Sequence, residues 1–212
     1  MVYEDLRASI IGLELKPGAR IDKSELCLRL RVSRQPLAEA IARLAEERLL
    51  EVEPQKGTFV ARIRLSDVAE AAFVRRALEM AAVAEIAPVM DEGTLKRLER
   101  NLGYQAAALK VKDWEEFYAL DVRFHTMLFE RLANQRLQDA VESSRAQLER
   151  ARRLTLPTPG RAPSTLKEHR AIFAALKARD AAKAAAAMGE HLDAVMAELR
   201  RFATRQPELF ES

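Results

Sequence analysis

The 212-residue chain has a single cysteine, Cys27, so no internal disulfide framework can hold it together. A lone thiol fits a reducing compartment. Its setting, Leu26-Cys27-Leu28, reads as a small core position rather than a reactive one. No apolar run approaches the length of a membrane span, because the Ala-rich stretch 181–188 is interrupted by Lys183. The opening Met1-Val-Tyr-Glu-Asp-Leu-Arg lacks a basic segment leading into an apolar one, so a secretory leader is not expected. A cytoplasmic protein with no membrane partner is the expectation. Histidine is equally scarce: His125, His169 and His191 are the only three.

What is present is a soluble globular composition, 49% hydrophobic and 32% charged, which excludes a disordered chain. The length suits one large domain or two small ones. The net charge of +3 says little by itself, but its placement is local. Between Leu26 and Leu44 stand Arg29, Arg31, Arg34 and Arg43 against Glu39 alone, a basic strip of the kind that phosphate contact needs.

Leu6, Ile10, Ile11 and Leu13 recur at helical spacing within residues 2–13, and Leu15-Lys-Pro-Gly18 stops that helix. A second helix begins at Ser24, its expected N-cap, with Leu26, Leu28 and Leu30 as apolar positions. Ser33 is the expected cap of a third, with Pro36 in the first turn and Leu37, Ile41, Leu44 and Leu49 on one face. Residues 50–61 alternate and turn about Pro54–Gly57, the one hairpin signal in the chain. Six helices are then predicted near 66–89, 92–109, 112–133, 135–155, 163–178 and 180–204, with Ser66-Asp67 capping the first. The expected fold is mainly α: a winged helix-turn-helix over 1–64, a six-helix antiparallel bundle over 65–205, and a tail over 206–212.

In such a motif the third helix presents its N-terminal residues to base edges in the major groove. Arg34 suits guanine, Gln35 suits adenine, and Ser33 can donate to a phosphate. Lys56 offers the wing a cation, and Gly57 lets the backbone approach the duplex. With Ser24, these are the candidate contacts to double-stranded operator DNA. A winged helix used for protein contacts is the alternative.

In the second half, Asp121 and His125 fall one turn apart within the apolar stripe of Phe117, Phe124, Leu128 and Leu132. His169 shares a face with Leu166, Ile172, Phe173 and Leu176, and His191 with Ala184, Ala187, Met188, Val195 and Phe202. Polar groups turned into an apolar interior need a partner. Three imidazoles and a carboxylate suit a divalent transition metal, Zn2+ first, with Ni2+, Fe2+ or Mn2+ also compatible. Such a site could in principle activate water, but no further acid or base stands at a matched spacing.

Two composite patterns carry a resemblance. Leu6-Arg7…Ile10…Gly12…Leu15-Lys-Pro-Gly18, Ser24-Glu-Leu26…Leu30-Arg-Val-Ser-Arg-Gln-Pro-Leu-Ala-Glu-Ala-Ile41…Leu44 and Gly57-Thr-Phe-Val60 together resemble the GntR superfamily of regulators. Asp121-x-x-x-His125, Ser164-Thr-Leu-Lys-Glu-His169 and Gly189-Glu-His191 resemble its FadR-type branch with an FCD ligand-binding domain, in the six-helix, VanR-like form. The sequence departs from the pattern at Ala38, where the family usually has a DNA-reaching arginine, and at Arg48, where glycine is common. The resemblance implies a homodimeric regulator rather than an enzyme, its operator affinity set by a small organic carboxylate at the metal. The implied metal residues are Asp121, His125, His169 and His191. Arg75, in Arg75-Arg-Ala-Leu-Glu79, stands where the family has an arginine lining the effector cavity; the alternative is a surface arginine on the linking helix. A purely structural metal, or one that is itself the signal, remains open beside this reading.

Overall fold

The computed structural model describes residues 2–132, 134–136, 140 and 145–211. It is mainly helical and falls into two compact units, Met1–Val68 with Phe202–Ser212, and Ala69–Arg201. In the first unit α1 (Val2–Ile11) buries Leu6, Ile10 and Ile11. The α2 helix (Lys23–Leu30) starts one residue earlier than the sequence suggests. Its cap is Asp22, whose carboxylate accepts from the backbone N–H groups of Ser24 (2.8 Å) and Glu25 (3.0 Å). Asp22 holds the extended N-cap conformation, from which its Oδ1 reaches the N–H groups of the second and third helical residues. Only Leu26 of α2 is buried; Leu28 is exposed and Cys27 half-buried, so neither is the core residue expected.

The α3 helix (Arg34–Glu46) follows with Leu37, Ala40, Ile41 and Leu44 inward. Ser33 holds the N-cap position in extended conformation but makes no side-chain cap bond. Leu49 is fully buried yet lies beyond the helix end, placed by a turn at Arg48. Arg48 sits at φ 56°, in the left-handed region that glycine enters without strain, which accounts physically for glycine at this position in the resembling family.

The wing is β1 (Leu50–Glu53) antiparallel to β2 (Gly57–Val60), with Leu50 opposite Val60 and Glu53 opposite Gly57. The outer edge of β2 is covered by residues 19–21: Ile21 donates to the Thr58 carbonyl (2.8 Å), and Val60 donates to that of Ala19 (2.8 Å). A second sheet was not legible in the sequence. Strand β3 (Ile63–Arg64) pairs in parallel with β4 (Phe210–Glu211), Ile63 opposite Phe210. Residues 206–211, expected as part of a C-terminal tail, are thus built into the first unit. Pro207–Leu209 form a 3-10 turn, Arg62 donates to the Glu208 carbonyl (3.0 Å), and Arg64 pairs with Glu211.

Six further helices are defined among the described residues: α4 (Leu65–Ile86), α5 (Glu92–Val111), α6 (Trp114–Glu130), α7 (Arg145–Thr155), α8 (Arg161–Lys177) and α9 (Ala181–Arg205). The α4 helix already begins at Leu65, and Asp67 inside it pairs with Arg48 (3.1 Å) rather than capping. The predicted 135–155 helix falls partly on residues 137–139 and 141–144, and the predicted 112–133 helix ends on residue 133; these lie outside the described residues. Asp91 caps α5 through Thr94 N–H (2.8 Å), and Asp113 caps α6 through Glu116 N–H (3.0 Å). In the second unit one continuous core joins Val83 and Ile86 of α4, Leu98 of α5, Phe117 and Phe124 of α6, Ile172 of α8 and Met188 of α9. Buried within it are the polar side chains of the candidate site. Among the described residues no helix is long and apolar enough to cross a membrane.

Candidate metal centre and nucleic-acid interface

Asp121 and His125 lie one turn apart on α6, His169 on α8 and His191 on α9. Each offers one ligand atom, and the four atoms lie within 4.8 Å of one another. Asp121, His169 and His191 are fully buried, His125 almost so. Asp121 Oδ2 and the Nε2 atoms of all three histidines have no hydrogen-bond partner. Buried orphan acceptors cost free energy singly, and here all four converge on one point. A divalent transition metal fits this donor set and would satisfy every one of them.

Every ring is held from behind. His125 Nδ1–H donates to Glu79 Oε2 (2.6 Å), and His191 Nδ1–H donates to Glu168 Oε2 (2.7 Å). His169 Nδ1–H donates to Gln105 Oε1 (2.9 Å), whose amide in turn donates to Asn101 Oδ1 (2.7 Å). Because these partners accept on the Nδ1 side, each neutral ring directs its Nε2 lone pair inward. Phe124 stacks on the His169 ring with centroids 4.4 Å apart and fixes its plane.

The outer partners are anchored too. Arg75 pairs with Glu79, Arg152 with Asp121, and Arg161 grips Glu168 through two bonds of 2.9 Å. Burial would push the Asp121 carboxyl up, but Arg152 and the three histidines hold it well below the usual range. Glu79 is held down likewise by Arg75 and His125 against its burial. Burial pushes all three histidines down, His191 to about 4, so the rings are neutral and ligand-competent at neutral pH.

Arg75 is buried, not on the surface, and reaches the centre through Glu79. Sequence reasoning missed Glu79, Gln105, Asn101, Glu168 and Arg152. Asn101 and Gln105 carried a usable signal, two amides one turn apart beside the core residues Leu98 and Leu102. Arg152 carried none, since it stands among Arg150 and Arg153 and reads as part of a solvated basic face.

In the first unit Ser24, Ser33, Arg34, Gln35 and Lys56 are all exposed. Ser24 and Arg34 line one depression of about 280 Å3 with Lys23, Cys27 and Ala38, the last of these leaving the space a longer side chain would fill. Gln35 bonds Glu39 (3.3 Å) and Lys56 pairs with Glu53 (2.9 Å), so both must leave a neighbour to contact DNA. Gly57 sits at φ 134°, and a Cβ there would stand 3.2 Å from Arg20 Nε, so the turn requires glycine.

A three-helix reader with a β wing, followed by a helical bundle, defines a transcription regulator of the winged-helix class. The GntR family of bacterial regulatory proteins matches residues 1–60 and the FCD domain matches residues 70–194. The chain therefore belongs to the GntR family, in its FCD-domain branch. It is 31% identical over 209 residues to the HTH-type transcriptional repressor RspR of Escherichia coli K12, covering 99% of this chain and 92% of that protein. It is 35% identical over 209 residues to an HTH-type transcriptional regulator in an unstable DNA locus of Streptomyces ambofaciens, covering 99% and 88%. A GntR transcriptional regulator from Rhodococcus sp. RHA1 superposes with a TM-score of 0.80 at 26% identity, covering 94% and 96%. The E. coli protein McbR/YncC shares the fold, with a TM-score of 0.78 at 24% identity over 95% and 96%. The family, and the relatives so named, are regulators of transcription, not enzymes.

Proposed function

We propose that the chain is a cytoplasmic, homodimeric repressor whose hold on operator DNA is controlled by a small organic carboxylate at a metal centre. The observation that carries this is the set of four buried, partnerless donor atoms of Asp121, His125, His169 and His191, all aimed at one point. Residues 1–64, joined by the returning C-terminal residues, read DNA; residues 65–205 sense. Two copies supply the two recognition helices that a palindromic operator requires. Repression is the sign shared with the E. coli relative.

When bound, a metal would supply a Lewis-acidic centre that attracts an oxygen ligand such as a carboxylate. The chain's own residues do the rest. Glu79, Gln105 and Glu168 fix the imidazole tautomers, Arg152 holds the Asp121 carboxylate in place, and Arg75 keeps guanidinium donors beyond the Nε it gives to Glu79. A carboxylate drawn to that cationic edge shifts the population between forms of different operator affinity. Arg34 contributes the base-specific part of binding and Ser24, Ser33 and Lys56 the phosphate part.

The test is a metal titration of chelator-treated protein, followed by operator binding with Zn2+ and a panel of carboxylic acids added separately and together. One ion per chain is expected, with release of operator only when both are present. His169→Ala should lose metal and acid response while keeping operator affinity. A variant that responds to the acid as the parent does rules the mechanism out.

A further inference from the structure

Away from the metal centre, the outer faces of α5 and α6 enclose an open groove of about 340 Å3. Arg97, Arg100 and Tyr104 reach it from α5 at i, i+3 and i+7; Leu120, Arg123 and Met127 reach it from α6 at the same spacing. One carboxylate, Glu130, answers two of the guanidinium groups, accepting from Arg97 (2.7 Å) and Arg123 (2.6 Å). Arg100 is exposed and makes no ion pair among the described residues. Three cations against one anion leave the groove with an excess of two positive charges beside an apolar patch of Tyr104, Leu120 and Met127. Arginines three residues apart on one helix repel each other, so nothing in the fold itself calls for this arrangement. Tyr104 is 56% exposed, presenting an aromatic face next to the cations.

The floor of the groove is Asn101, which is buried and held by the Leu120 carbonyl (3.0 Å). Its Oδ1 accepts from Gln105, and Gln105 Oε1 accepts from His169 Nδ1. A continuous line of hydrogen bonds therefore runs from the outer groove to an imidazole of the metal centre.

We propose that this groove is a second ligand site, taking an organic anion with a flat apolar body, and that Asn101 and Gln105 carry its occupancy to His169. The anion displaces Glu130 from Arg97 or Arg123, pairs with Arg100, and lays its body on Tyr104 and Met127. Only the significance of the relay rests on the metal-centre reading; the groove itself does not.

The experiment uses the full chain, chelator-treated so that the metal centre cannot contribute. Anilinonaphthalene sulfonate is the anionic aromatic probe, its uncharged analogue phenylnaphthylamine the control, and inorganic phosphate the anion without a body. Saturable binding of the sulfonate is expected, weakened about tenfold or more by Arg100→Gln combined with Arg123→Gln. The control and phosphate should each bind at least about tenfold more weakly. The sulfonate should also shift the 15N resonance of His169 Nδ1, and Gln105→Leu, which changes no residue lining the groove, should remove that shift while sparing binding. Gln105→Met breaks the same link, should Gln105→Leu not fold. Equal sulfonate affinity in the arginine variant, or equal affinity for the control or for phosphate, overturns the site. Intact binding with an unmoved His169 resonance overturns the relay. Failure of the four ligands to bind zinc would overturn the proposed function while leaving both of these measurements standing.

Discussion

Each histidine of the centre is usable because a second residue decides which nitrogen carries the proton. Glu79→Gln or Glu168→Gln removes a charged acceptor behind His125 or His191 and should lower zinc affinity about 10–100-fold, as read by competition with a chelating dye. Unchanged affinity would mean the carboxylates only pack. The same burial has a consequence for the metal-free protein. Folding depresses the histidine pKa values below 6.5, that of His191 to about 4, so the unfolded chain takes up protons first as pH falls. Stability is therefore full above the unfolded value and is lost on descending from 6.5 towards 4. Denaturant midpoints of chelated protein across that range should decrease steadily, and a flat profile would argue against neutral rings in the folded state.

At the scale of the element, the HTH shows where residue type misleads and position decides. Ser24 is the cap expected from residue type, yet Asp22 holds the N-cap position and its Oδ1 accepts from two backbone N–H groups. Asp22→Ala should cost about 1 kcal/mol of stability, while Ser24→Ala and Ser33→Ala, which lose no cap bond, should each cost a few tenths at most, by chemical denaturation. Arg34→Ala should leave stability intact and remove about 1–3 kcal/mol of preference for operator over random DNA, measured in parallel binding titrations. Much of the element order was legible because apolar spacing at 3.6 and at 2 survives in a single sequence: Leu37, Ile41 and Leu44 mark α3, and Phe117, Phe124 and Leu128 mark α6. The convergence of Asp121 with the three histidines was legible for the same reason, since each sits in an apolar stripe. Illegible were contacts set by tertiary approach alone. Glu79 lies forty-six residues from His125, and nothing local marks it as the acceptor for that ring. The two-residue strands β3 and β4 are too short for any periodicity to reveal.

For the whole molecule, that second sheet matters most. Phe210 is 7% exposed and its ring lies 6.3 Å from that of Phe202, centroid to centroid, so β4 is packed as well as paired. Phe210→Ala should lower the stability of the DNA-reading unit by about 3 kcal/mol, visible as an earlier unfolding transition of that unit. A fragment ending at Val68 should be less stable than the same unit within the full chain. If the isolated fragment and the full chain melt together, β4 contributes nothing.

The pairing of Ile63 with Phe210 also sets an order in time. A chain leaving the ribosome makes the recognition helix and wing first, but the strand that closes their unit follows only after the whole bundle has been synthesised. The contact spans most of the sequence, a long loop to close and a slow step. Metal-ligand residues and bundle core therefore emerge before the DNA reader can be completed. A product cut short before residue 206 would retain all four donors of the centre yet present an unfinished reader, so a broken regulator is biased towards leaving its operator free.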